Sequence, residues 1–131
     1  MKPPIFLTRE QIKSLHEMGL TRHGGASGLG DVGLFESAIS QPENDFYYGN
    51  VDLFGVSAAY AYHIAQAQSF LDGNKRTAVA SALVFLEING VDTNFDSQQL
   101  YLAMIAIAEK RMDKAGLAEL LRELCGGFHD E

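Results

Sequence analysis

The chain has 131 residues, and its 47% hydrophobic and 21% charged content is typical of one globular domain and argues against a disordered segment. Its formal net charge of −7 argues against a nucleic-acid-binding protein, because such proteins usually present a basic face. A single cysteine excludes an internal disulfide framework and a cysteine-rich zinc site, and the lack of a long apolar run or signal peptide predicts a cytoplasmic protein that does not enter a membrane.

Strand signals are weak along the chain, and its turn residues divide it into segments that predict an all-α bundle of five or six helices. We expect a single domain over residues 1–131, with its core at about 8–124 and a polar tail at 126–131. The first helix starts at Thr8, which is expected to form a capping box with Gln11. Its predicted buried stripe consists of Ile12, Leu15 and then Met18 or Gly19.

The second predicted helix follows a glycine-rich connection from Gly24 to Gly30. Asp31 is its expected N-cap, and Pro42 is expected to end it, because proline lacks the N–H group that a helix interior needs. Residues 42–50 are polar and aromatic, and we interpret them as a loop that its aromatic side chains hold on the core. The alternative is a flap beside a functional site.

Four further helices complete the predicted bundle. They run from Asp52 to about Ala67, from Asn74 to Asn89, from a capped start at Asp96 with Gln99, and from about Lys114 to Leu124. His63 lies on the first of these four, one helical turn from Tyr60 and Ala67. We interpret it as a partly buried structural histidine and not as a catalytic one.

Charged and amide side chains are concentrated at residues 68–78, with the sequence Gln-Ser-Phe-Leu-Asp-Gly-Asn-Lys-Arg-Thr-Ala. Asp72-Gly73-Asn74 predicts a tight turn that places Lys75 and Arg76 in the first turn of the next helix. Cations there conflict with the helix dipole, whereas the free N–H groups of a helix start favour an anion. The segment therefore predicts a phosphate-binding site, and the alternative is that Lys75 and Arg76 are solvated surface charges.

The motif Phe-x-Asp-Gly-Asn-Lys-Arg-Thr-Ala at 70–78 resembles the core motif of the Fic/Doc (Fido) superfamily, His-x-Phe-x-(Asp/Glu)-(Gly/Ala)-Asn-(Gly/Lys)-Arg. The lysine after the asparagine resembles the death-on-curing (Doc) toxin branch. Residues 22–38 and 85–91 resemble the segments that flank the motif, so the likeness spans about Thr8 to Leu124. Gln68 is a departure, because it aligns with the catalytic histidine of the family.

The resemblance implies a Fido fold, with the motif loop at the N-terminus of a central helix, and a transferase that uses a nucleotide triphosphate. Most Fic proteins transfer AMP to a protein hydroxyl, whereas Doc toxins transfer the γ-phosphate of ATP to elongation factor Tu and inhibit translation. ATP, Mg²⁺, a small antitoxin and a protein substrate are therefore the implied cofactors and partners, with no direct contact to nucleic acid. The family's flap implies that Tyr47 and Tyr48 contact the substrate.

The side chains of the motif suit this chemistry, because phosphoryl and nucleotidyl transfer require positioning and charge neutralisation more than covalent chemistry. Arg76 can hold phosphate oxygens in a planar fork, and Lys75 supplies a mobile point charge. Gly73 and the N–H groups after it form the expected phosphate cradle. Asn74 either donates a hydrogen bond to a phosphate or fixes the turn.

The other motif residues have separate expected roles. Asp72 suits Mg²⁺ ligation or orientation of the acceptor hydroxyl, and the alternative is a helix cap. Phe70 is the expected buried anchor of the loop. Gln68 cannot act as a general base, since an amide does not titrate near neutral pH. Its presence fits an inactivating substitution in a toxic protein, a natural pseudoenzyme, or an enzyme whose base comes from elsewhere.

Three functions are therefore consistent with the sequence. The first is a Doc-type kinase that Gln68 impairs. The second is an AMP transferase, and the third is a catalytically inactive domain that binds a nucleotide or a partner.

Overall fold

The computed structural model describes residues 2–126, and six α-helices make up most of this part of the chain. They are α1 (Arg9–His23), α2 (Val32–Gly49), α3 (Leu53–Ala67), α4 (Asn74–Ile88), α5 (Gln98–Ala108) and α6 (Lys114–Leu124). No strand occurs between residues 2 and 126, where Leu29 and Phe70 form an isolated antiparallel bridge. The predicted all-α bundle is confirmed. The tail predicted at 126–131 lies, except for its first residue, outside the described residues.

The helix α3 lies at the centre of the bundle, where it packs against α2, α4, α5 and α6, while α1 packs against α4. Small buried residues on α3 allow this close approach: Ser57, Ala58, Ala59 and Ala61. The Ser57 hydroxyl donates a hydrogen bond of 2.8 Å to the Ala82 carbonyl of α4. Because α3 and α4 are held side by side, the short turn between them is fixed at both of its ends. Within the described residues, no helix is long and apolar enough to cross a membrane.

Side-chain caps determine where most of the helices begin. Thr8 and Gln11 form the predicted capping box at the start of α1. Three other helices start at an aspartate whose carboxylate accepts a backbone N–H group, namely Asp31, Asp52 and Asp113. The predicted start of α5 is wrong in detail, because Ser97 occupies the N-cap position and Asp96 accepts from the N–H group of Gln98.

The helix α2 continues through Pro42, so the predicted end before this proline and the predicted loop over residues 42–50 are wrong. Proline in a helix interior removes a hydrogen bond and costs about 3 kcal/mol. Burial offsets this cost here, since Pro42 is buried along with Phe35 and Ala38, and α2 packs closely on α3. The helix ends just before Asn50, which adopts a left-handed conformation with a φ of 57°.

The buried stripe of α1 also differs from the predicted one. Ile12 is fully buried as predicted, but Leu15 is only partly buried and Met18 is 52% exposed. The buried residue one turn after Ile12 is His16. Apolar periodicity does not count a histidine as a core residue, so the predicted stripe omits His16 and runs through Leu15 to Met18 or Gly19 instead.

Candidate active site

The turn between α3 and α4 lines a cavity of about 340 Å³. Ala65 and Leu71 contribute to its wall, and the remaining lining residues are those for which the sequence predicts a catalytic or phosphate-binding role: Gln68, Asp72, Gly73, Asn74, Lys75 and Arg76. The fold therefore brings all of these predicted residues to one cavity. Phe70 lies beneath the turn, and Tyr47 and Tyr48 do not line the cavity.

The N-terminus of α4 is open toward a ligand. Gly73 occupies the N-cap position with a φ of 77° and a ψ of 21°, a left-handed conformation that glycine adopts without strain. No side chain in the described part of the chain caps this helix. The first backbone N–H groups of a helix have no partner within it, so those of α4 are available to an anion.

Asn74 fixes the turn by pairing with both backbone groups of Phe70. Its Oδ1 accepts from the Phe70 N–H group at 3.0 Å, and its Nδ2 donates to the Phe70 carbonyl at 3.0 Å. Phe70 itself is 4% exposed, and its ring stacks on that of His16 with centroids 3.9 Å apart. Of the two roles considered for Asn74, the geometry supports fixing the turn.

Lys75 and Arg76 are cations that have no carboxylate partner in the described part of the chain. Neither forms a salt bridge within residues 2–126, in contrast to four other cations of the chain: Arg9, Arg111, Lys114 and Arg122. Arg76 Nη2 donates one hydrogen bond of 3.2 Å to the Gly24 carbonyl, and its buried Nε finds no partner among the described residues. A buried donor without an acceptor is unfavourable, so an anion bound by this guanidinium would stabilise the site.

Asp72 supplies the one carboxylate among the described residues that line the cavity. Its Oδ1 accepts from the N–H group of Gly73 at 2.8 Å, and the residue is exposed. No group of three or more His, Cys, Asp or Glu residues in the described ranges could hold a metal ion by itself. Mg²⁺ in nucleotide sites is usually bound by one or two carboxylates together with phosphates and water. Asp72 is therefore chemically compatible with a Mg²⁺ ion that arrives with a nucleotide.

The glycine-rich segment between α1 and α2 lies against the turn. The N–H group of Leu71 donates to the Gly28 carbonyl at 3.0 Å. A Cβ atom on Gly25 would lie 2.7 Å from Asp72 Oδ2, and the φ of Gly25 is 123°, so a larger residue there would be strained and would displace the Asp72 carboxylate. The sequence indicated a connection with unusual backbone conformations here, but not its contact with the motif.

Gln68 is the C-cap of α3 and adopts a left-handed conformation, with a φ of 47° and a ψ of 43°. This conformation is uncommon for residues other than glycine and often marks functional positions. Gln68 is exposed and lines the cavity. Its amide can therefore form hydrogen bonds to a molecule in the cavity, but it cannot take up a proton.

Comparison with known proteins reveals the family of the chain. Residues 6–86 match the Fic/DOC family, and the matched residues include α1, the glycine-rich segment and the whole turn. The chain belongs to the Fic/DOC family. It is 37% identical over 121 residues to the protein kinase doc of Escherichia phage P1, with 92% of this chain and 95% of that protein covered. It is 33% identical over 127 residues to the toxin Doc of Mycolicibacterium smegmatis, with 92% of each covered. The resemblance to the Doc branch is confirmed.

The tyrosines assigned to a flap lie far from the cavity of this Fic/DOC domain. Tyr47 and Tyr48 are in the last turn of α2, just before α3 begins, whereas Gln68 follows the end of α3. The 15 residues of α3 span about 22 Å. Tyr47 instead packs on Phe6, with ring centroids 6.1 Å apart. These residues therefore form a helix and not a flap beside the cavity. Their contact with a protein substrate stays a prediction.

His63 is a half-buried residue outside the cavity, as the sequence indicated. Its Nε2 lies 2.9 Å from Lys114 Nζ, which is also 2.6 Å from Asp45 Oδ2. A lysine ammonium only donates, so His63 accepts at Nε2 and is neutral. Burial lowers the pKa of His63, the Lys114 cation lowers it further, and Asp45 opposes both effects. The geometry supports a structural role for this histidine in the Fic/DOC fold.

His16 is the residue near the motif that sequence reasoning missed. It is 2% exposed, and its Nε2 lies 2.7 Å from the carbonyl oxygen of Asp72. The one available signal is its position four residues after Ile12, on the face of α1 that is buried.

Proposed function

We propose that this Fic/DOC protein is the toxin of a toxin–antitoxin system, and that it transfers the γ-phosphate of ATP to a hydroxyl group of another protein. The observation that carries the proposal is an uncapped helix N-terminus combined with two cations, Lys75 and Arg76, that have no carboxylate partner among residues 2–126, at one cavity. The names of two relatives, a protein kinase and a toxin, support the same reaction and role. AMP transfer would use the same phosphate cradle, so the experiment below distinguishes the two.

The residues of the cavity would each bind a different part of the Mg²⁺-bound triphosphate. The backbone N–H groups that follow Gly73 would bind phosphate oxygens at the start of α4. Arg76 would turn its guanidinium from the Gly24 carbonyl to the phosphates, since its bond there is 3.2 Å long and its Nε is unpaired within residues 2–126. Lys75 is exposed and would contribute its charge to a second phosphate. Asp72 would ligate Mg²⁺, which neutralises the charge of the transferred group when bound.

Gln68 would limit the reaction at the proton-transfer step. It stands at the position of the motif histidine and lines the cavity, but its amide cannot accept the proton of the acceptor hydroxyl. General base catalysis contributes about 10²–10⁴-fold. We therefore propose that this chain binds ATP and transfers phosphate slowly, and that a histidine at position 68 increases the rate.

We propose elongation factor Tu as the acceptor and a small antitoxin as the inhibitor. An antitoxin segment that folds on binding would suit such a compact domain. The net charge of −7 favours a segment that carries basic residues, since complementary charge accelerates association.

Mass spectrometry of a bacterial translation extract with Mg-ATP tests the proposal. The Gln68→His variant is the active sample, and the Gln68→His/Arg76→Ala double variant is the matched control that keeps the base and loses the phosphate fork. We expect a phosphate-sized mass on elongation factor Tu with Gln68→His, about 10²–10⁴-fold less with the unmodified chain, and none with the control. An adenylyl-sized mass would assign AMP transfer instead. No added mass from a folded Gln68→His variant that binds ATP would contradict catalysis and favour a binding domain.

A further inference from the structure

His16 reaches the motif turn from α1 and makes two contacts with it. Its ring lies almost parallel to that of Phe70, with an angle of 13° between the planes and centroids 3.9 Å apart. Its Nε2 lies 2.7 Å from the carbonyl oxygen of Asp72. A carbonyl oxygen can only accept a hydrogen bond, so His16 carries a proton on Nε2 and donates it. The contact thus determines both the tautomer of His16 and the direction of the Asp72 carbonyl.

That carbonyl belongs to the peptide unit which joins Asp72 to Gly73 at the start of α4. The unit is planar and trans, so its carbonyl and its N–H group point in opposite directions. The carbonyl points to His16, and the N–H group donates to Asp72 Oδ1 at 2.8 Å, on the side where Asp72 lines the cavity. If the peptide rotated by half a turn, the carbonyl oxygen would face the cavity and repel an anion.

The local sequence permits the observed orientation but does not by itself exclude the other. The φ of 77° and ψ of 21° at Gly73 are close to those of the third residue in a type II turn. Type I and type II turns differ in the orientation of their central peptide, and glycine is compatible with both. Contacts to the central peptide therefore hold its orientation: Asp72 Oδ1 accepts from its N–H group within the turn, and His16, 56 residues away from Asp72, donates to its carbonyl from outside.

We infer that His16 is a positioning residue for phosphate binding: its Nε2–H group holds the Asp72 carbonyl away from the cavity, so that the start of α4 presents N–H groups to the ligand. His16 does not line the cavity, so it acts through the peptide and not on the phosphate. The inference rests on the proposed phosphate site and extends it to a residue of α1.

Two variants distinguish the contribution of the His16 hydrogen-bond donor from that of its aromatic ring. His16→Phe keeps a ring on Phe70 and loses the donor, whereas His16→Gln places an amide donor at about the position of Nε2 and loses the ring. We expect Mg-ATP and inorganic pyrophosphate to bind His16→Phe on the order of tenfold more weakly than the unmodified protein, by isothermal titration calorimetry. His16→Gln is expected to bind more tightly than His16→Phe, although it melts at a lower temperature. If affinity instead followed melting temperature across the two variants, His16 would be a packing residue and the inference would fail.

Arg76→Ala distinguishes failure of this inference from failure of the phosphate site. If Arg76→Ala leaves pyrophosphate binding unchanged, the proposed site itself is wrong. If Arg76→Ala weakens binding and a folded His16→Phe does not, only the role of His16 is overturned.

Nuclear magnetic resonance tests the peptide orientation without any ligand. We expect the Gly73 amide resonance to shift or split in His16→Phe, and an unchanged resonance would overturn the inference. Should His16→Phe not fold, the imidazole nitrogen shifts of the unmodified protein decide: a proton on Nε2 supports the contact, and a proton on Nδ1 alone contradicts it.

Discussion

The two ends of α4 carry asparagines that make the same contacts with different consequences. At the N-terminal end, Asn74 accepts from the N–H group of Phe70 and donates to its carbonyl. At the C-terminal end, Asn89 accepts from the N–H group of Ile5 and donates to the carbonyls of Ile5 and Phe85. Each asparagine therefore holds a neighbouring segment by both backbone groups of one residue.

The surroundings of the two asparagines differ. At the end that carries Asn89, here called the closed end, the N–H group of Val91 donates to the Leu86 carbonyl, and Phe6 stacks on Phe85. At the end that carries Asn74, here called the open end, the helix lacks a side-chain cap and two cations lack carboxylate partners within the described residues. Rigid attachment alone thus does not mark a functional site. The site lies where rigid attachment is combined with polar groups that have no hydrogen-bond partner within the described residues.

The largest expected effect comes from Asn74→Ala. The change removes two partly buried hydrogen bonds and releases Phe70 from the turn. We expect the free energy of unfolding in urea to fall by about 2–4 kcal/mol, because the backbone groups of Phe70 lose their partners. Mg-ATP binding, measured by isothermal titration calorimetry on the folded fraction, should be lost.

Asn89→Ala is the matched control at the closed end. It removes three hydrogen bonds, so we expect a comparable loss of unfolding free energy. Mg-ATP affinity should stay within about twofold, because the site is distant and shares no partner with Asn89. Equal losses of affinity in both variants would show that binding follows global stability, and the distinction between the two ends would fail.

A smaller effect is expected from Gly25→Ala at the open end. The new Cβ would lie 2.7 Å from Asp72 Oδ2, and a φ of 123° is strained for alanine, so unfolding free energy should fall by about 1–3 kcal/mol. Mg-ATP should bind more weakly, because Asp72 must move. Gly24→Ala is the control, since its φ of 78° is also positive but its Cβ would meet no atom within 4 Å. Equal weakening by both substitutions would assign the effect to strain and not to Asp72.

The parts of the molecule that depend on neighbouring residues could be predicted from the sequence. The caps at Thr8, Asp31 and Asp52 each involve a backbone group three residues on. Residues 72–76 likewise meet at one cavity because they are consecutive on a single turn. Such contacts form in the same way in almost any fold that keeps the helix.

The contacts that depend on packing could not be predicted. His16 donates to the Asp72 carbonyl, and Gly25 leaves room for the Asp72 carboxylate, but only because α1 and the glycine-rich segment pack against the turn. No local pattern encodes that approach. The prediction of a helix end at Pro42 was wrong for a different reason. There a strong local signal is present, but burial and the packing of α2 on α3 outweigh it.

A moderate, pH-dependent effect on stability is expected from His63→Gln. His63, Lys114 and Asp45 form a polar cluster whose members contact one another within the domain. Burial and the Lys114 cation lower the pKa of His63 in the folded state. As the pH falls below the ordinary value near 6.5, the unfolded chain takes up a proton that the native state does not, so stability decreases until the folded pKa is passed. Glutamine can still accept from Lys114 but does not titrate.

Urea unfolding at pH 7.5 and 5.5 measures this contribution. The unmodified protein should lose more unfolding free energy between the two values than His63→Gln, with a slope from this proton of at most about 1.4 kcal/mol per pH unit. Equal losses would mean that other groups control the acid response. Mg-ATP affinity at pH 7.5 should be the same in both proteins, because His63 does not line the cavity.

The smallest effect is expected from Tyr48→Ala. Tyr48 is 87% exposed, so its removal should change the unfolding free energy by no more than about 0.5 kcal/mol. In the Gln68→His background, Leu71→Ala is the comparison, because Leu71 is an exposed apolar residue that does line the cavity. We expect Leu71→Ala to slow transfer to the protein acceptor and Tyr48→Ala to leave it unchanged. Slower transfer in Tyr48→Ala with unchanged ATP affinity would mean that the acceptor contacts the domain along the full length of α3, about 22 Å. The closed end would then be a surface for the acceptor, and the functional contrast between the two ends would disappear.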